Sequence, residues 1–89
     1  MGSSSRAVSI VRATEATFAR QVLRAPLPVL ACFGMQRCPG RRAMLPTLER
    51  IAARYAGTVR VVLVSIEHAP LLVEQYCIHA SPSLLVFQD

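Results

Sequence analysis

The 89-residue sequence predicts an α/β fold built on a largely parallel sheet. Three observations carry that reading. Short apolar runs alternate with segments whose apolar residues recur every three or four positions. Two of the runs, Val29 to Phe33 and Val59 to Ile66, are apolar almost throughout, as strands covered on both faces are. The resulting order, β-α-β-α-β-α-β, is the alternation that joins parallel strands through helical crossovers.

Ala7 to Arg12 alternates weakly through Val8, Ile10 and Val11 and is the first expected strand. Thr14 suits a helix N-cap, with Glu15 in the first turn, where the helix dipole favours a carboxylate. Phe18, Val22 and Leu23 then follow helical spacing until Pro26 and Pro28 stop it. After the second strand, Val29 to Phe33, a loop of residues 34–37 leads to a long amphipathic pattern. It starts at Cys38 and runs through Met44, Leu45, Leu48, Ile51, Ala52 and Tyr55. Pro46 lies inside it and is expected to kink it, and Gly57 is a C-terminal stop. The third strand, Val59 to Ile66, is interrupted by Arg60. Pro70 fits the first turn of a short helix reaching about Tyr76. Ser81-Pro82 breaks the chain, and Ser83 to Phe87 is the last strand.

Composition excludes several classes. Hydrophobic residues make up 53% of the chain, enough for a core and too many for a disordered segment. No apolar run approaches the roughly 18 residues that crossing a bilayer requires, so no membrane role is expected. The net charge is +5 and every basic residue is arginine. Only Arg37, Arg41 and Arg42 cluster, so the charge does not form a nucleic-acid footprint, and no nucleic acid is expected as a partner. The cysteines, at 32, 38 and 77, form neither a disulfide framework nor a zinc pattern; no metal is expected. Free thiols point to a reducing, cytoplasmic setting. Residues 1–5 lack the apolar core of a signal peptide and are set aside as a flexible or tag-like start, which leaves 6–89 as one domain.

The segments "PVLACF", "RCPGRR", "YAG", "VRVVLVSIE" and "SPSLLVF", in this order and spacing, resemble the thioredoxin family over nearly the whole chain. The resemblance implies a thioredoxin-like fold, with Cys38 as the attacking thiol at the start of its helix, Pro46 as the helix-kinking proline and Pro82 as a cis-proline facing the thiol. Glu67 stands where the family usually has aspartate. The departures bear on function. The family frame W-C-G-P-C-K reads R-C-P-G-R-R here, so Arg41 replaces the resolving cysteine and Arg37 the tryptophan. Cys32 takes the place of the family's buried aspartate. The chain also stops at Asp89, one strand and one helix short of the family pattern.

A two-cysteine cycle needs a second thiol to displace the mixed disulfide formed by the first. Cys32 lies within the strand, with an intervening loop that should hold it beyond disulfide reach, and Cys77 has no obvious path to Cys38. A single-thiol mechanism is what remains. A thiol at a helix N-terminus is held as thiolate by the dipole and free N–H groups. Arg37, Arg41 and Arg42 add positive charge and suit a carboxylate, such as those of glutathione, as anion-binding groups. The expected substrates are protein or glutathione disulfides, with glutathione as a co-substrate and no bound cofactor. The rival reading is a redox-inactive binding or assembly module on the same fold. His68, His79 and Met35 read as surface or packing residues, Cys32 as a core residue, and Cys77 as idle or as a bridge between chains. Leu84 to Phe87 is apolar on both faces, as an interior strand is. Without a following strand, its edge invites association. Either the chain is a piece of a longer one, or a homodimer or partner chain completes the sheet at Ser83 to Phe87.

Overall fold

A computed structural model describes residues 10–88. Its strands are β1 (Val11–Ala13), β2 (Val29–Gly34), β3 (Arg60–Ser65) and β4 (Ser83–Phe87). Its helices are α1 (Pro39–Arg54) and α2 (Pro70–Gln75), with a π-helical segment at Ala19–Leu23 and a 3-10 turn at Ile66–His68. The sheet order is β1-β3-β2-β4. β1, β3 and β2 are parallel, and β4 runs antiparallel to β2 with Cys32 opposite Leu84 and Leu30 opposite Val86. The sheet is therefore mixed, as a strand returning after the loop at Pro82 must make it. The expected strand at Ala7 to Arg12 begins at Val11; Ala7, Val8, Ser9 and the segment 1–5 lie outside the described residues.

Alternation along the strands divides the core. Val29, Ala31 and Phe33 of β2 and Val62 and Val64 of β3 face one side, where Phe18, Val22, Leu72 and Ile78 close over them. Cys32, Val61 and Leu63 face the other, under Leu48 and Ala52 of α1. β4 was expected to be covered on both faces. Instead Leu85 and Phe87 pack into the first cluster, while Leu84 is 46% exposed and Val86 68% exposed. β4 is an edge strand, and α1 packs over Cys32 of β2 and Val61 and Leu63 of β3.

The first helix differs most from its expected form. Thr14 and Thr17 exchange side-chain to backbone hydrogen bonds, Thr14 N–H to Thr17 Oγ1 at 2.9 Å and Thr17 N–H to Thr14 Oγ1 at 3.3 Å. They close a turn before any helix starts. The chain then makes one widened turn, closed by Arg24 N–H to the Ala19 carbonyl at 2.8 Å. Phe18 and Val22 enter the core, but Leu23, expected on the same stripe, is half exposed. Glu15 does not serve this segment. Its carboxylate accepts the Leu71 N–H at 2.7 Å and so caps α2 from a distance.

α1 continues through Pro46, whose ring leaves the Arg42 carbonyl without its helical donor. It ends where the Thr58 and Val59 N–H groups both reach the Tyr55 carbonyl, with Gly57 at φ +82°. That left-handed value explains the glycine. α2 ends on a left-handed residue that is not glycine. Ile78 N–H bonds to the Val73 carbonyl and Cys77 N–H to the Glu74 carbonyl, and Cys77 sits at φ +54°. This is a Schellman closure with cysteine in the position glycine usually takes. Arg60, the charge inside β3, sends its guanidinium to the Gln21 carbonyl at 2.9 Å, which explains how the strand tolerates it. Among the described residues no helix is long and apolar enough to cross a membrane.

Candidate functional site

The site is assembled where β2 hands over to α1. Gly34 ends the strand, and the Cys38 N–H bonds back to the Met35 carbonyl at 3.1 Å, forming a tight turn. Cys38 is the N-cap of α1 in an extended conformation, and its carbonyl accepts the first helical bond, from Arg42 N–H at 3.0 Å. Pro39 takes the first helical position, where its missing N–H costs nothing. The Cys38 sulfur therefore lies beside the free N–H groups of the first turn.

Two distant residues hold this turn. The Met35 N–H donates to Ser81 Oγ at 2.9 Å, and the Gln36 N–H donates to Glu67 Oε2 at 3.0 Å. The Ser81–Pro82 peptide is cis, and Pro82 packs over Gly40. A Cβ at Gly40 would stand 3.0 Å from Pro82 Cδ and 3.7 Å from Cys38 Sγ. A side chain at position 40 would press on the proline ring.

The Cys38 pKa lies below the ordinary thiol value, chiefly through hydrogen bonding to the Ser81 side chain, then through the Arg41 and Gly40 N–H groups, with a smaller contribution from the Arg41 charge. Ser81 acts in two senses. Its carbonyl accepts the thiol proton at 3.3 Å, which favours the neutral form. Its hydroxyl oxygen accepts the Met35 N–H, and its side chain is the first cause of the lowered thiol pKa. Glu67 is also lowered, first by the Gln36 N–H it accepts. Cys32 is raised by burial, against a lowering by the Arg41 charge.

The three clustered arginines separate. Arg37 and Arg42 are exposed, whereas Arg41 is only 3% exposed, its stem packed on Gly34. Arg41 Nε has no hydrogen-bond partner among the described residues. The three thiols are free and occupy three environments: Cys38 half-buried at the turn, Cys32 buried in the sheet and Cys77 exposed at the end of α2. His68 and His79 are exposed, and among the described residues no three His, Cys, Asp or Glu side chains gather as metal ligands. Sequence reasoning did not single out the Ser81 hydroxyl or the Glu67 carboxylate as supports of the turn. The position of Ser81 next to Pro82, the residue expected to face the thiol, was the available signal.

The sequence model of the thioredoxin family matches residues 9–89. Thioredoxin 1 of Synechococcus elongatus is 37% identical over 76 residues, 85% of this chain and 71% of the relative. Thioredoxin 1 of a Nostoc species is 35% identical over 84% of this chain and 70% of its own length. Thioredoxin of Porphyra purpurea is 30% identical over 92% of this chain and 77% of its own.

Proposed function

The chain belongs to the thioredoxin family, and we propose that it is a thiol–disulfide exchange domain acting through one thiol, Cys38. The observation that carries this reading is the position of Cys38 as the N-cap of α1, with Arg41 buried in the first turn of the same helix. The site keeps the means to form a thiolate and puts a guanidinium where the family carries its second thiol.

The Cys38 thiolate attacks one sulfur of a disulfide. The new S–S bond forms as the old one breaks, and the leaving thiolate takes a proton from solvent. Cys38 is left in a mixed disulfide, which an external thiol of the glutathione class must release. Pro82, packed over Gly40 in the first turn after the thiol, shapes the surface on which the substrate chain lies. Arg37 and Arg42, being exposed, suit the carboxylates of such a co-substrate. A reducing compartment such as the cytoplasm would supply the external thiol. The exposed Leu84 and Val86 favour a second chain, most simply another copy, on the β4 side of the sheet.

The test is turnover of a glutathionylated peptide with glutathione as donor. Wild type and a Cys32→Ser/Cys77→Ser variant should both turn it over, and Cys38→Ser should not. Equal turnover by Cys38→Ser, or none by wild type, would instead favour a binding module on the same fold. Robust insulin reduction would mean that a second thiol resolves the mixed disulfide after all.

A further inference from the structure

A cavity of about 210 Å³ lies at the carboxyl ends of the parallel strands, and disulfide exchange makes no use of it. Five polar residues line it: Arg12 of β1, Thr14 in the turn after β1, Gln36 in the loop after β2, Ser65 at the end of β3 and His68 in the 3-10 turn. Strand register gathers them. Arg12 lies opposite Leu63, and Ser65 follows Leu63 on the same face. Gly34, two residues before Gln36, lies opposite Ser65. The floor is apolar, because Ala13, Leu63 and Ala69 are buried beneath the polar rim. The topology accounts for an opening here. β2 leads into α1, which packs on one face of the sheet. Its neighbour β3 leads into α2, which packs on the other. Connections that part in this way leave a crevice outside the carboxyl ends of the strands, where open α/β sheets take their ligands.

The lining selects the ligand. Each of the five polar side chains can donate a hydrogen bond, and Arg12 carries a fixed positive charge. Among the described residues no carboxylate lines the cavity. The two acids that flank it in sequence are engaged by backbone donors. Glu15, next to Thr14, accepts the Leu71 N–H at 2.7 Å, and Glu67, next to His68, accepts the Gln36 N–H at 3.0 Å. The volume falls below the roughly 300–1,000 Å³ of ordinary ligand pockets, which favours an anion of few atoms over a nucleotide. Donors that arrive from β1, from the loop after β2 and from the end of β3 suit a tetrahedral oxyanion, whose oxygens accept on every side, better than a planar carboxylate. We propose that this cavity binds a small phosphate-class oxyanion, with Arg12 as its charged partner and Thr14, Gln36, Ser65 and His68 as hydrogen-bond donors. Free phosphate and the phosphoryl group of a small phosphomonoester share this chemistry. Binding needs no thiol and stands independently of the exchange reading.

The probe is inorganic phosphate, titrated into isotopically labelled protein at constant ionic strength. The readout is the set of amide shifts of Thr14, Gln36, Ser65 and His68. These should move together and saturate with a Kd of about 5 mM or tighter, while acetate gives no saturating shift. Arg12→Gln should weaken binding by about tenfold, and His68→Ala by a smaller factor. The chain has a net charge of +5 and would gather anions diffusely, so a cation outside the cavity serves as control. Arg50→Gln, on the exposed side of α1, should leave the Kd within about twofold. Cys38→Ser should bind phosphate as wild type does. Should Arg12→Gln fail to fold, His68→Ala, in an exposed turn, and the acetate comparison decide. Glycerol phosphate distinguishes the two sources. Binding as tight as that of phosphate assigns phosphomonoesters, and binding of phosphate alone assigns the free anion; both keep the proposal. Shifts that do not saturate, that saturate equally with acetate, or that weaken as much in Arg50→Gln as in Arg12→Gln overturn it.

Discussion

On one face of the sheet, Phe18, Phe33, Tyr76 and Phe87 close on one another with ring centroids 5.3 to 6.2 Å apart. On the other, α1 lies over β2 and β3 while Leu84 and Val86 of β4 stand open to solvent. The first face is sealed by two short segments, the π-helical turn and α2, and Glu15, in the turn before the first of them, accepts the Leu71 N–H of the second. The second rests on one long helix, and that helix carries Cys38 as its N-cap. The contrast separates two duties. The aromatic face supplies stability through large rings, each burying much apolar area. The α1 face positions Cys38 and leaves a surface that another chain can use.

Breaking the sealed face should have the largest effect. Phe18→Ala removes a ring that touches Phe33, Tyr76 and Phe87 and is expected to cost about 3–5 kcal/mol, read by chemical denaturation. A domain of this size has roughly 5–15 kcal/mol in all, so the variant should sit near its unfolding threshold. A loss below about 1 kcal/mol would mean that the two faces contribute alike. A smaller effect of opposite sign sharpens the same comparison. Cys77→Gly relieves a left-handed residue at the end of α2 and should stabilise the sealed face by about 1 kcal/mol, again by denaturation. The smallest effect belongs to the open face. Leu84→Ser with Val86→Ser should change monomer stability by no more than about 0.5 kcal/mol per site. The pair should nonetheless abolish self-association in sedimentation at high micromolar concentration, where wild type is expected to associate. A wild type that sediments as a clean monomer contradicts the assembly reading.

The parts of the molecule that were legible in the sequence are those written in continuous local patterns. Apolar runs marked β2 and β3, the break at Ser81-Pro82 set the start of β4, and helical spacing marked α1. Local patterns do not encode coverage, which is why β4 read as an interior strand although Leu84 and Val86 lack a covering layer. The π-helical segment was missed because Phe18, Val22 and Leu23 satisfy ordinary helical spacing equally well. At the site, the thiol and its cap position were legible, as residue type and helix onset coincide at Cys38. The supports were not. Ser81 and Glu67 reach the turn across 46 and 31 residues of sequence. The burial of Arg41 runs against the ordinary preference of arginine for the surface; its three arginines looked alike until Gly34 made room for one of them.

The central claim is that the turn before α1 still makes a reactive thiol although its second cysteine is gone. Alkylation of Cys38 by iodoacetamide as a function of pH, with Cys38→Ser to subtract the other thiols, tests it most directly. The hydrogen bonds to Ser81, Arg41 and Gly40 lower the Cys38 pKa, so the rate should rise and level off at a pH below that of a free thiol. A midpoint clearly under about 8.5 is the expected result, and a midpoint at or above that value would contradict the account.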